Sequence, residues 1–189
     1  FDLIYALPDQ TPEKWSNELD EALKIAGSHI SLYQLTIERG TQFHKERVLP
    51  ANETTSTMLY ELTQKKLNAA GLPAYEISNH SMPGEQSRHN LVYWRSQDYL
   101  GIGPGAHGRL TNNFKSETMH NFREPEKWLN LATTKKTGQQ KRTTLTAEER
   151  INEVFLMGLR LSEGISSDHF QSLTSQPLLK LINQRRFNF

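Results

Sequence analysis

From Phe1 to Ala6 the chain is mostly apolar and β-favouring, which predicts a buried strand. Thr11 can cap a following helix with Pro12 at its first position. Trp15, Leu19, Ala22, Leu23 and Ala26 then recur at helical spacing before Gly27, so the spacing predicts a helix from Pro12 to Ala26. Ile30, Leu32, Leu35 and Ile37 give a second strand, and strand, helix and strand in succession form a right-handed parallel βαβ unit. After a polar loop from Glu38 to Ala51, Asn52 can cap a long helix through Met58, Leu59, Leu62, Leu67 and Ala70, closed by Gly71. Tyr75 to Ser78 follows as a third short strand. The β-α-β-α-β order predicts an α/β fold with a parallel sheet, either doubly wound or part of a barrel, with ligands at the C-terminal strand ends.

Beyond that point the periodicity fades. Asn79 to Gly108 reads as a long loop rich in Gly, Ser and His, a length that is unusual unless the loop binds something. Leu110 to Phe114 and Lys115 to His120 can form a hairpin around Asn112-Asn113, and Pro125 to Ala132 a short helix. The polar, basic run from Thr133 to Thr144 has the composition of a surface linker. Thr146-Ala-Glu-Glu149 is a capping-box pattern, and Ile151, Val154, Phe155, Met157, Leu159 and Leu161 continue an amphipathic helix, with Pro177 opening another. The expected organisation is an α/β part over 1–132, a linker over 133–145 and a helical domain over 146–189.

Composition narrows the chemistry. With 35% hydrophobic residues among 189, the chain can bury a core. Its net charge of +1 gives no field that would draw it to nucleic acid. It contains no run near the ~20 apolar residues of a transmembrane helix and no signal-peptide layout, so the cytoplasm is the expected compartment. Zero cysteines exclude disulfides, thiolate zinc sites and cysteine-ligated iron–sulfur clusters within these residues. A strand-like start without Met leads us to expect that Phe1 is internal to a longer chain.

Arg88-His89-Asn90-Leu91-Val92-Tyr93-Trp94 combines an imidazole, an amide and two aromatic rings within seven residues. Neutral imidazole ligates haem iron, aromatic faces pack a macrocycle, and Arg88 can pair with a propionate. The plainer alternative makes Tyr93 and Trp94 core residues and His89 a hydrogen-bonded loop side chain. Gly101-Ile102-Gly103-Pro104-Gly105-Ala106-His107-Gly108 could let backbone N–H groups approach a ligand, or could be a tight turn and nothing more; Pro104 rules out a dinucleotide fingerprint. Asp2 could accept bonds from a ribose or an amine, or be paired structurally. His29, His44, His80, His120 and His169 have no pair at helical metal-site spacing. Walker, serine-hydrolase and zinc-protease motifs are absent.

Five segments taken in order, Asp2-Leu-Ile-Tyr-Ala-Leu-Pro-Asp-Gln-Thr11, Ser31-Leu-Tyr-Gln-Leu-Thr-Ile-Glu38, Tyr75-Glu-Ile-Ser-Asn79, Arg88 to Trp94 and Asp98 to Gly108, resemble the radical-SAM family of the haem chaperone HemW and oxygen-independent coproporphyrinogen III oxidase. The resemblance spans about Asp2 to Gly164. It implies the last strands of a partial (β/α)6 barrel followed by a small helical domain. It also implies a [4Fe-4S] cluster held by a Cys-x3-Cys-x2-Cys segment that this sequence does not contain. By the same resemblance Asp2 contacts S-adenosylmethionine, Ile4 and Ile102 lie near its adenine with Gly101 and Gly103 in the same turn, and His89, Asn90, Tyr93 and Trp94 bind haem, with His89 on the iron. Ala6 and Asp9 depart from the family by standing where glycine is usual. Three roles follow as expectations: a haem chaperone passing haem to acceptor proteins, an oxidase decarboxylating porphyrin propionates, and a truncated relative without radical chemistry. Whether the chain is itself an enzyme stays open between them.

Overall fold

Thr11 and Asn52 do what short polar residues do ahead of an apolar stripe: their side-chain oxygens accept from the N–H of Lys14 and Thr55. In the computed structural model of the chain, which describes residues 1–112 and 115–182, these caps open two helices of the first of two compact units, Phe1–Ser87 and Arg88–Phe189. The first unit runs β1 (Asp2–Tyr5), α1 (Pro12–Leu23), β2 (His29–Gln34), the single turn α2 (Gln42–Lys45), α3 (Glu53–Ala69) and β3 (Asn79–Ser81). β1 and β2 are parallel, with Asp2 opposite Ser31 and Tyr5 opposite Gln34, as the βαβ pattern requires.

Trp15, Leu19, Ile30, Leu59 and Leu67 are fully buried and form the centre of this unit. Burial of each such side chain stabilises by roughly 1.5–3 kcal/mol. Trp15 stacks on Tyr5 at 5.4 Å and donates from Nε1 to Thr63 Oγ1 at 2.8 Å, so its polar atom enters the core with a partner. Burial pushes the Tyr5 hydroxyl up to about 12.

The third strand differs from expectation. It is Asn79–Ser81 rather than Tyr75 to Ser78, and it runs antiparallel to β2, with His80 opposite Ile30. Gly71 turns the chain at φ 75°, and Tyr75 N donates to Asn79 O and Ser81 N to Pro73 O, so residues 73–81 fold back on themselves. An Asn-His-Ser triplet carries no apolar signature, yet all three residues are buried.

The second unit contains α4 (Arg88–Trp94), β4 (His107–Asn112), β5 (Lys115–Asn121), α5 (Pro125–Thr134), β6 (Gln139–Thr144), α6 (Ala147–Gly158), α7 (Ser167–Thr174) and α8 (Leu178–Leu181). The predicted hairpin is present as β4 and β5, closing at the Asn112 and Lys115 pair; Asn113 and Phe114 lie outside the described residues. The long loop expected from Asn79 to Gly108 is in fact interrupted by β3 and by α4.

The linker expected over 133–145 is corrected as well. α5 extends to Thr134, and Gln139–Thr144 is the third strand of an antiparallel sheet, with Thr144 opposite Glu117. This is an edge strand whose Lys141 and Arg142 face solvent, which gives it the polar composition of a linker. The two compact units divide after Ser87.

Thr146 and Glu149 form the reciprocal capping box, and Val154, Phe170 and Leu178 pack beneath the helices that follow. Residues 183–189 of the expected helical domain lie outside the described part. No helix among the described residues is long and apolar enough to cross a membrane.

Candidate functional site

The segment that combined imidazole and aromatic rings is a helix and not a loop. His89 and Tyr93 stand four residues apart in α4, so they share one face. The Tyr93 hydroxyl lies 3.1 Å from His89 Nε2, and the two rings meet edge to face at 4.9 Å. Tyr93 in turn meets the Tyr99 ring at 4.6 Å, and Tyr99 is fixed by paired backbone bonds with Arg109 in β4. No residue of α4 is buried; His89 is exposed while Asn90, Tyr93 and Trp94 are half-buried. Tyr93 and Trp94 are thus only partly withdrawn from solvent, with the Trp94 Nε1 atom itself enclosed. Trp94 carries the Arg160 guanidinium over its ring at 4.5 Å.

The glycine segment folds as a turn held from outside. Asn121 donates through Nδ2 to the carbonyls of Gly101 and Gly103, at 3.2 and 2.8 Å. A Cβ on Gly101 would lie 2.2 Å from the His107 carbonyl oxygen, and Gly103 sits at φ 104°, so side chains are excluded by contact at one position and by backbone strain at the other. Between them Ile102 is 85% exposed. A cleft of about 290 Å³ opens here, lined by Gly101, Ile102, Gly103, Met119, Asn121 and Trp128.

In the first unit, Asp2 and Ile4 alternate along β1, both exposed, Ile4 by 52%. Ala6 and Asp9 adopt φ of 60° and 55°. The loop thus keeps a left-handed path without the residue that adopts it most easily. Asp2 and Ile4 lie together on one strand, Gly101 to Gly103 in one turn, and His89, Tyr93 and Trp94 on one helix.

Two groupings were not assigned a role from sequence. Glu76, 2% exposed, accepts at Oε1 from Ser78 N at 2.9 Å and from Asn79 Nδ2 at 2.5 Å. His80 beside it approaches the Leu72 carbonyl at 3.3 Å, and burial holds its imidazole below its ordinary range. The Tyr75-Glu-Ile-Ser-Asn79 motif was the available signal. His107 and His120 face each other across β4 and β5 with ring centres 3.9 Å apart, and partial burial followed by His107, Arg109 and Lys141 keeps His120 low. Only the strand register brings this pair together.

Among the described residues no group of three or more His, Cys, Asp or Glu could hold a metal ion. With no cysteine in the chain, these residues do not fit a [4Fe-4S] cluster. Haem iron accepts an imidazole ligand, and α4 carries the exposed His89 imidazole with the Tyr93 ring against it.

Comparison with known proteins agrees on lineage. A family model described as the HemN C-terminal domain matches residues 145–188. The zebrafish protein named radical S-adenosyl methionine domain-containing protein 1, mitochondrial, is 36% identical over 190 residues, covering 96% of this chain and 43% of that protein. The haem chaperone HemW of Bacillus subtilis is 34% identical over 174 residues, covering 89% of this chain and 45% of its own length. A solved structure of the Escherichia coli coproporphyrinogen III oxidase HemN, a radical SAM enzyme, superposes with a TM-score of 0.70 at 15% identity, over 93% of this chain and 43% of that one, a likeness of fold alone. The chain spans less than half the length of these relatives.

Proposed function

Since the chain belongs to the HemW/HemN-like radical-SAM family, with the α/β fold of its C-terminal part, we propose that it serves a haem chaperone, binding haem through α4 and passing it to acceptor proteins. The observation that carries this reading is the exposed imidazole of His89, set on a helix with Tyr93 one turn on and beside it. An exposed imidazole leaves the ligating nitrogen within reach of a large planar cargo. Iron would compete with the Tyr93 hydroxyl for Nε2, which makes the bound state exchangeable rather than fixed. Arg88, exposed at the start of the helix, would pair with a propionate in this reading.

S-adenosylmethionine is the second ligand in this reading. By the family resemblance Asp2 and Ile4 of the first unit are candidate contacts for it, and so, within the second unit taken by itself, are Gly101, Ile102 and Gly103. Both isoleucines are exposed, so a ligand could reach them. Bound to a reduced cluster, that cofactor supplies an adenosyl radical. Cluster ligation falls outside these residues. The setting we assign is the cytoplasm.

Propionate decarboxylation is the competing reading. It follows from the family resemblance, the HemN structure at 15% identity speaking to fold alone, whereas relatives at 34% and above include proteins named HemW. A Soret titration of the chain with haem tests the chaperone reading. His89→Ala is expected to weaken binding by about tenfold or more, the worth of one lost ligand at about 1.4 kcal/mol per decade. An unchanged titration removes the assignment.

A further inference from the structure

α4 spans seven residues and buries none of them. A helix this short is marginal in water, so its orientation must come from what grips it. The grip is concentrated at two residues. Arg95 and Ser96, which follow the helix, are bound by three separate side chains of the segment 146–182.

Glu163 takes the Arg95 guanidinium as a two-point fork, Nε to Oε1 at 2.8 Å and Nη2 to Oε2 at 3.0 Å. The pairing moves both groups as expected, Arg95 upward and Glu163 below the usual carboxylate range, each chiefly through the bond to the other. His169 Nε2 lies 2.7 Å from the Arg95 carbonyl, a contact that requires the ring to donate from that nitrogen. Arg150, 5% exposed, donates from Nη2 to the Ser96 carbonyl at 2.7 Å. Ser96 itself is held at φ 50°, a left-handed conformation that persists only where neighbours over-determine it.

A second route reaches the same helix from its ligand face. Arg150 Nη1 bonds Glu153 Oε2 at 2.8 Å, and Glu153 Oε1 receives Arg109 Nε at 2.7 Å. The Arg109 backbone pairs with Tyr99, the Tyr99 ring meets Tyr93, and Tyr93 contacts His89. α6 therefore holds α4 at its end and, through β4, at the face that presents the imidazole.

We propose that the helical segment 146–182 sets the attitude of α4, making Glu163, His169 and Arg150 positioning residues for haem at His89. This rests on the haem reading of the preceding section and adds a regulation to it. Because coupling between sites is reciprocal, haem on α4 should also steady the segment.

The test is Soret titration of the full chain with haemin, with a melting curve for each variant. Glu163→Gln/His169→Ala, which removes two of the three tethers and spares buried Arg150, is expected to bind about tenfold more weakly with a displaced or broadened Soret band. Arg95→Glu alone is expected to weaken binding likewise, and Arg95→Glu/Glu163→Arg to restore both affinity and band position. Wild-type titrations and spectra for the double variant, or no rescue by the reversed pair in folded protein, overturn the proposal. His89→Ala separates the two claims: if it leaves binding unchanged, the haem reading itself falls, while a loss there with unaffected tether variants removes only the positioning role.

Discussion

The two three-stranded sheets of this chain are built on different physics. In the first unit, β1, β2 and β3 are covered by α1 and α3, and the centre is apolar: Trp15, Leu19, Ile30, Leu59 and Leu67 have no measurable exposure. In the second, β4, β5 and β6 are rich in polar side chains, and much of what joins sheet to helices is ionic, with Glu153 shared between Arg109 and Arg150. An apolar core tolerates little change in volume, whereas a charge network tolerates little change in count.

The largest effect should come from the apolar side. Trp15→Ala removes the central side chain together with its stack on Tyr5 and its bond to Thr63. A loss of about 3–5 kcal/mol is expected from cavity formation. Urea denaturation checks it, and a loss under about 1 kcal/mol would mean that the first unit is not organised around this residue.

Next is the ionic side. Glu153→Gln leaves two guanidiniums facing each other, one of them on 5%-exposed Arg150, without a countercharge. A loss of about 3 kcal/mol is expected, since removing one member of a buried ionic group leaves its partners uncompensated. Replacing Arg150 and Glu153 together by Met and Leu should cost less than Glu153→Gln alone. If the double change proves the more damaging, shape rather than charge holds that interface.

The same contrast explains what could be read from the sequence. Where strands and helices face an apolar core, periodicity located them: α1, α3, their caps at Thr11 and Asn52, and the β1 and β2 pair follow from spacing alone. Where elements are polar, spacing is silent. β6 has no apolar alternation and passed for a linker, and β3 consists of Asn, His and Ser whose burial depends on tertiary partners such as Ile30 and Leu72. Of the candidate site, the residue types of α4 were legible while its helical form was not, because a seven-residue helix held by Arg95 and Ser96 owes its shape to residues far along the chain.

A smaller effect appears with pH. His80 in β3 is buried and its imidazole is held low, mainly by desolvation, against an ordinary value of 6.5. Its folded value lies below its unfolded one, so below about pH 6.5 the unfolded chain binds the extra proton and stability falls as pH drops. His29, also held low chiefly by burial, adds to the same slope. Urea midpoints at pH 7.5 and 5.5 measure it, and His80→Gln should flatten the difference. An equal slope in that variant would move the acid sensitivity elsewhere.

The smallest expected change is the one nearest the proposed function. Tyr93 contacts Nε2 of His89, the nitrogen through which histidine commonly ligates iron, and its ring is steadied by Tyr99. Tyr93→Phe keeps the ring, its packing and the helix, and removes only the hydroxyl that competes with iron. A solvent-exposed hydrogen bond contributes at the low end of about 0.5–1.5 kcal/mol, so haem affinity should rise by roughly two- to threefold, with faster uptake in stopped-flow Soret traces. If the hydroxyl instead orients the imidazole for iron, the same substitution lowers affinity and slows uptake. The direction of the change therefore decides whether α4 presents a restrained ligand or a prepared one.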